Sequence, residues 1–415
     1  MKLLFVLERL SDLCGANVNI ALNLIKQFTQ NGYEVSAIAL TTQDKPISPV
    51  YSGLLKKCIG VYDEELEFID RYNARGGSKL RKYCSLFHPK QGYYYLDAYF
   101  NEYGRVCNQL KKAIEKACGE DKYDAVIGVS IPYYVANAVA KARISTRKCH
   151  LQLDPYTYNV NLSSLLRKKR WKIERAVCKR MDVIWAGSYC YRELLEQVIG
   201  QDTKLRGKVV EVELPGLVYT EQEEEQQRFA DDGKIHFVFL GQFYREIRTP
   251  SFLLQTFRQL PENYVLHIVG GGCQDILDAY QEKMGGRLVL HGWVSKQEAT
   301  QLMQKADFLV NVNNTIHNQL SSKLFEYIGT GKPIVNVCTA SDCLSLKYMV
   351  NYPYAINVIE AEARPECLQE IEAFISETYG KRVLPACIAQ RFYKNTDEYF
   401  YQTIADTLLG GKTKT

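Results

Sequence analysis

Two apolar runs of strand length, Phe308-Leu309-Val310-Asn311-Val312 and Ile334-Val335-Asn336-Val337, bracket a single short helical pattern. Between them Ser321 and Ser322 offer N-cap oxygens, Leu324, Phe325 and Ile328 give one apolar face, and Gly329 or Gly331 can take the left-handed residue that ends a helix. Lys332-Pro333 stops it, because the residue before a proline is pushed out of helical backbone. The helix therefore joins two core strands.

The same alternation runs through the chain. Residues 3–7 read as a buried strand, 8–16 as a polar turn, Asn17–Asn31 as a helix and Glu34–Leu40 as a strand, which is a βαβ unit and hence a parallel sheet. Further strands are expected at Tyr123–Ser130, His150–Leu153, Val183–Ser188 and Val209–Leu214, with helices at Asn101–Cys118, Pro132–Arg143 and Leu162–Arg180. After Pro215-Gly216 and the charged stretch Glu221–Gln227 the pattern restarts: Ile235–Leu240, Thr249–Leu260, Tyr264–Val269, Leu288–His291 and Lys296–Lys305, with a last helix over Gln390–Leu409. A chain of 415 residues exceeds one ordinary core. The expected division is a first domain 1–215, a linker 216–234, a second domain 235–389, and a last helix with a tail over 390–415.

Composition excludes several classes. A formal net charge of +5 suits phosphate-bearing ligands or anionic membrane surfaces without demanding nucleic acid, and none is expected as a partner. The 13 Cys show no Cys-x-x-Cys pair and no zinc spacing, so reduced buried thiols and no metal are expected. The opening apolar run is too short for a signal-peptide core and no stretch reaches the length of a spanning helix, so a cytoplasmic protein is expected. Arg167-Lys168-Lys169-Arg170-Trp171, and the basic and aromatic residues between Arg71 and Tyr95, could be solvated faces or could place the protein peripherally on the inner face of a membrane.

The chemistry concentrates at 322–326. Ser322 and Glu326 share a helix face and Lys323 lies close by, so a hydroxyl, an ammonium and a carboxylate converge beside the free N–H groups of a helix start. That set suits a nucleoside diphosphate; by spacing alone it also suits an ordinary capped amphipathic helix.

Ser-Lys-Leu-Phe-Glu-Tyr-Ile followed by Thr-Gly-Lys-Pro-Ile resembles the donor-binding signature of the retaining glycosyltransferases of family 4, especially bacterial surface-polysaccharide enzymes. The resemblance implies an α/β chain of GT-B architecture: two doubly wound Rossmann-like domains facing a cleft, with a C-terminal helix crossing back. It implies that Glu326 holds the nucleotide ribose and that the backbone around Ser322, Lys323 and Leu324 meets the diphosphate. It also implies transfer of a sugar from a UDP- or GDP-sugar to a glycan or polyprenyl-linked acceptor, with no cofactor and no metal. Where the family carries a second Glu, eight residues before Glu326, this chain has Asn318.

Elsewhere the match is looser. Gly241 with Arg245 and Arg248 stands where the family keeps a Gly and a basic residue against the diphosphate, and an Arg fork can hold two phosphate oxygens. Gly270-Gly271-Gly272 would let backbone approach the nucleobase, with Gly271 central. Gly15 matches one Gly of the family's N-terminal Gly-Gly loop, the other being replaced by Cys14. Asp154 follows a strand, where the family often has a His-Asp pair; Leu153 occupies the His position. Asp154, Arg248 and Lys323 are the catalytic candidates. Asn318 and Leu153 keep open a degenerate nucleotide-sugar-binding or scaffold subunit, and a GT-B nucleotide-sugar epimerase is a further alternative.

Overall fold

β1 (Lys2–Leu7) buries both its faces: Leu3, Phe5 and Leu7 enter one apolar cluster, Leu4 and Val6 another. Side chains alternate along a strand, so an unbroken apolar run is what a sheet covered on both faces requires. The computed structural model describes residues 1–415 except 13, 75–88, 159–162, 220–227, 230–231, 316–319, 322 and 411–415. It divides into one unit of Met1–Leu214 with Asp397–Thr415 and another of Pro215–Thr396.

In the first unit β2 (Glu34–Thr41), β3 (Lys57–Tyr62), β4 (Ala125–Ser130), β5 (Arg147–Gln152), β6 (Val183–Gly187) and β7 (Val209–Val212) join β1 in the order β3-β2-β1-β4-β5-β6-β7. Every pairing is parallel. The helix Ala16–Gln30 covers one face, and Gly104–Glu120 and Tyr133–Lys141 cover the other. The last helix, Asp397–Leu409, returns to this unit: Tyr401 packs edge-on against Phe28 at 5.0 Å between ring centroids. Arg147 donates to the carbonyls of Leu408 (2.8 Å) and Thr407 (3.1 Å), satisfying the helix C-terminus.

The second unit repeats the topology. β8 (Ile235–Gln242), β9 (Tyr264–Gly271), β10 (Leu288–Gly292), β11 (Phe308–Val312), β12 (Ile334–Cys338) and β13 (Ala355–Ile359) lie in the order β10-β9-β8-β11-β12-β13, again all parallel. In each sheet the strand order reverses beside the strand the chain lays down first, and open α/β sheets bind ligands outside the carboxyl ends at that point.

Several elements depart from the sequence reading. The expected helix Gln390–Leu409 is two helices, Pro385–Phe392 and Asp397–Leu409, separated by a 3-10 turn at Tyr393–Asn395. The Asn395 carbonyl accepts from Gly216 (3.1 Å) and Leu217 (3.0 Å) instead of continuing a helical ladder. Residues 44–105 hold an unanticipated edge strand, β3, and the helices Glu64–Ala74 and Pro89–Phe100. There Tyr94 is buried, donates to Glu64 at 2.8 Å and lies under the Arg105 guanidinium, while Arg71 pairs with Asp44 and Glu67. Arg75, Lys79, Arg81 and Lys82 lie outside the described residues.

Candidate functional site

At the carboxyl ends of β8 and β9 the chain must turn sharply, and three glycines make the two turns possible. Gly241 and Gly270 pair across β8 and β9 with φ of +150° and +125°, and a Cβ at 270 would stand 2.0 Å from the Gly241 carbonyl oxygen. Gly272, at φ +95°, would put one 2.1 Å from the Phe243 oxygen. These are backbone conformations and approaches that only glycine tolerates. Gly271 is different: a Cβ there would meet the indole Nε1 of Trp293 at 3.2 Å, and Trp293 is 71% exposed at the end of β10.

The turn closes as a small antiparallel bridge, in which Tyr244 and Arg248 exchange backbone hydrogen bonds of 2.8 Å each. Thr315 N–H donates to the Ile247 carbonyl at 2.6 Å, tying the turn to the segment after β11. Arg248 is thereby held at the reversal between β8 and β11. Its Nε donates to Asn314 Oδ1 at 3.0 Å and its Nη1 lies 3.4 Å from where a Gly241 Cβ would be. Burial pulls the guanidinium pKa below its usual range, with Tyr327 and Tyr244 opposing, and among the described residues no carboxylate pairs with it. A half-buried guanidinium whose Nη groups bond nothing among the described residues has the chemistry to receive an anion. Arg245 is placed otherwise: it is exposed and pairs with Asp275 at 2.5 Å.

The helix Lys323–Gly329 is pinned to β8 by Tyr327, whose buried hydroxyl accepts from the Leu240 N–H at 2.8 Å. Leu324 is fully buried, so it meets a ligand only through its backbone. Lys323 Nζ donates to both Glu326 oxygens at 2.9 Å, each side chain about one third exposed (37% and 36%). The helix ends at Gly329, where a Cβ would be 1.9 Å from the Val218 oxygen, and the left-handed residue is Gly331 at φ +71°. Lys332 is buried, its ammonium donating to the carbonyls of Gln304 (2.7 Å) and Ala306, and burial lowers its pKa to about 7. Behind the site Asn336 bonds Asn311 (2.7 Å), Asn313 (2.9 Å) and Asn357 (2.8 Å), locking the ends of β11, β12 and β13 together. Asn318 and Ser322 lie outside the described residues.

In the first unit Asp154 lies just past β5. Asn17, in the first turn of Ala16–Gln30, donates Nδ2 to its Oδ2 at 2.7 Å. Burial raises the carboxyl pKa and the Asn17 bond partly opposes it. Gly15 is the N-cap of that helix in extended backbone, with nothing within 4 Å of a Cβ position, so neither packing nor conformation demands glycine there. Leu153 is fully buried in the core. Asn17, Asn314, Tyr327 and Trp293 were not singled out from sequence; a Trp directly after the glycine that ends a strand was the one visible signal.

Residues 234–350 match the family described as Glycosyl transferases group 1. Among curated proteins none matches the sequence. Solved structures align along nearly the whole chain. Anabaena HepE in complex with UDP is 13% identical, covers 99% of this chain and 100% of its own, and has a TM-score of 0.66. The sucrose-phosphate synthase of Thermosynechococcus elongatus is 11% identical with 98% of each chain covered and a TM-score of 0.65. The lipopolysaccharide outer core galactosyltransferase WaaB is 15% identical with 99% of each covered and a TM-score of 0.60. Two doubly wound parallel sheets give this chain the GT-B fold of these structures, and its residues 234–350 carry the match to the glycosyl transferases group 1 family.

Proposed function

We propose that the protein transfers a sugar from a nucleotide-sugar donor, a UDP- or GDP-sugar, to a glycan or lipid-linked acceptor in surface polysaccharide or glycoconjugate synthesis, with retention of configuration. The observation that carries this reading is Arg248, held without a counter-charge among the described residues at the reversal point of the second sheet, where a departing diphosphate would need it. Lys323 adds a second cation, and donor binding exchanges its contact with Glu326 for phosphate, freeing the carboxylate for the two ribose hydroxyls. Cationic side chains take the place of a divalent ion. UDP in HepE, in a structure aligned along the whole chain, favours a uridine donor. Asp154, poised by Asn17, serves the acceptor side in the first unit.

Leu153 specifically favours a second reading, a binding subunit without turnover, because a core leucine fills the position at which the family places a His. Thermal-shift titration with UDP-, GDP-, ADP- and dTDP-sugars, followed by assay of nucleoside diphosphate release, separates the two. A donor at a hundred times its Kd raises stability by about 2.7 kcal/mol. A shift with one base, lost in Glu326→Ala and accompanied by diphosphate release, supports transfer. A shift without release under any acceptor supports the binder, and no shift with any nucleotide sinks both.

A further inference from the structure

The first unit carries a hollow of about 610 Å³ on the side away from Asp154, lined by Asn108, Lys111, Lys141, Arg143, Lys148 and Arg180. These residues come from the helix Gly104–Glu120, the C-terminus of Tyr133–Lys141, the start of β5 and the end of the helix Ser164–Arg180. In a parallel sheet those parts meet at the amino-terminal edge. Lys148 and Asp154 are six residues apart along and beyond one strand, so about 20 Å separates the two places.

Five cations face one hollow, and the local counter-charges do not cancel them. Lys148 Nζ is committed to the carbonyls of Ala140 (3.5 Å) and Ala142 (2.6 Å), which neutralises the negative end of Tyr133–Lys141. Lys208 does the same for Ser164–Arg180, donating to the carbonyls of Lys179 (3.1 Å) and Met181 (2.7 Å). Two carboxylates border the hollow. Asp182 accepts the Lys148 N–H at 2.8 Å, and Glu115 accepts the Arg143 N–H at 2.7 Å while lying 3.7 Å from Lys111. Lys141, Arg143 and Arg180 are exposed and none has an ion pair among the described residues. Burial pushes the Lys148 pKa down and Arg180 adds to that, against the opposing pull of Asp182 and Glu115.

We propose that this hollow binds a ligand carrying two or more phosphate groups, separately from the donor. The two Arg forks grip phosphate oxygens in pairs, Lys111 and Lys141 add point charge, and Asn108 supplies a neutral donor. A hollow of about 610 Å³ is roomy for one phosphate and suits a diphosphate with part of the body that carries it. The same chemistry is offered by a soluble phosphorylated compound and by an anionic lipid headgroup.

The test compares the 415-residue chain with its Lys141→Ala/Arg143→Ala/Arg180→Ala variant, each measured also with Arg248→Ala added so that phosphate binding in the second unit is subtracted. One arm titrates inorganic pyrophosphate by calorimetry; the other floats the protein on vesicles containing cardiolipin, whose headgroup carries two phosphates, against phosphatidylcholine alone. The variant is expected to lose at least about tenfold in affinity in one arm or both, since each lost charged hydrogen bond accounts for that much. Its melting temperature should not move, because all three side chains are exposed. Arg143→Lys/Arg180→Lys, which keeps the charge and loses the forks, should fall between. Loss confined to calorimetry assigns a soluble ligand, and loss of flotation assigns a headgroup. Equal behaviour of wild type and triple variant in both arms, including no binding by either, overturns the proposal whether or not UDP binds.

Discussion

The two sheets share a strand order and differ in what they put at the end of their first strand. Beyond β8 and β9 the chain turns through glycines that the neighbouring backbone demands, and delivers to Asn314 a guanidinium that no carboxylate pairs with among the described residues. After β1 it turns through Gly15, which nothing crowds, and the polar groups nearby are Asn17 and the carboxyl of Asp154. One arrangement attracts anions; the other attracts hydroxyl donors. Topology therefore settles where each unit can bind, and side-chain charge settles what.

The largest effect expected comes from breaking the glycine contrast. Gly270→Ala forces a Cβ to 2.0 Å from the Gly241 oxygen at φ +125°, which should destabilise the second unit by about 3 kcal/mol or more. Gly15→Ala meets open space in ordinary backbone and should shift stability by less than about 1 kcal/mol. Urea unfolding of both variants checks this, and equal losses would erase the distinction drawn between the two turns.

Charge is the next point of comparison. Arg248→Ala should weaken nucleotide-sugar binding by roughly 10- to 100-fold, the worth of a hydrogen bond to a charged group, with Arg248→Lys recovering part of it. Asp154→Asn should leave nucleotide affinity unchanged and lower turnover. Since burial raises the Asp154 pKa above its unfolded value, the ionised form at neutral pH costs stability, and the Asn variant should melt slightly higher. Calorimetry with UDP and a melting curve read both; weakened UDP binding in Asp154→Asn would contradict the division of labour.

Much of this was legible beforehand, for physical reasons that also mark the limit. Central strands such as Phe308–Val312 are buried throughout and apolar but for Asn311 because both faces are covered, so they announce themselves. Edge strands announce themselves less: β7 and β10 are legible, but β3 reads Lys-Cys-Ile-Gly-Val-Tyr, half solvated, and β13 has the same mixed burial. Arg248 is visible as a basic residue after a strand and a glycine and matches better than Arg245, three residues earlier, which the sequence still offers as a binding residue; the structure places Arg245 outward on Asp275 beside the Tyr244–Arg248 bridge. Tyr327 stood inside the motif, but its bond to Leu240 joins residues 87 apart, a distance no local pattern reports.

A pH experiment sharpens the comparison at a smaller scale, because each sheet buries one strongly depressed histidine. His150 bonds Ser130 at 2.9 Å, His267 lies between His236 and His291 at 2.9 Å each, and burial takes both pKa values down to about 3. Above pH 6.5 each is neutral folded or unfolded. Below it only the unfolded chain gains the proton, so stability should fall from pH 6.5 towards 3 by about 1.4 kcal/mol per pH unit for each histidine. Urea midpoints at pH 7 and 5 test the slope, which should be shallower in His150→Gln for the first unit alone. An unchanged slope in that variant would mean that His150 is not the titrating group.

The smallest expected effect on stability belongs to the pair most prominent in the sequence. Lys323 and Glu326 hold each other at 2.9 Å but are each about one third exposed, at 37% and 36%, so water screens the attraction. Removing either side chain should change stability by less than about 1 kcal/mol. If the pair is a resting contact that donor binding exchanges, both single variants lose nucleotide affinity. The double variant then loses less than the sum, because each remaining partner in the singles is also left without its contact. If the pair only caps its helix, all three variants bind UDP as the wild type does. The donor site would then reduce to Arg248 and the glycine turn, and the contrast between the two sheets would rest on those alone.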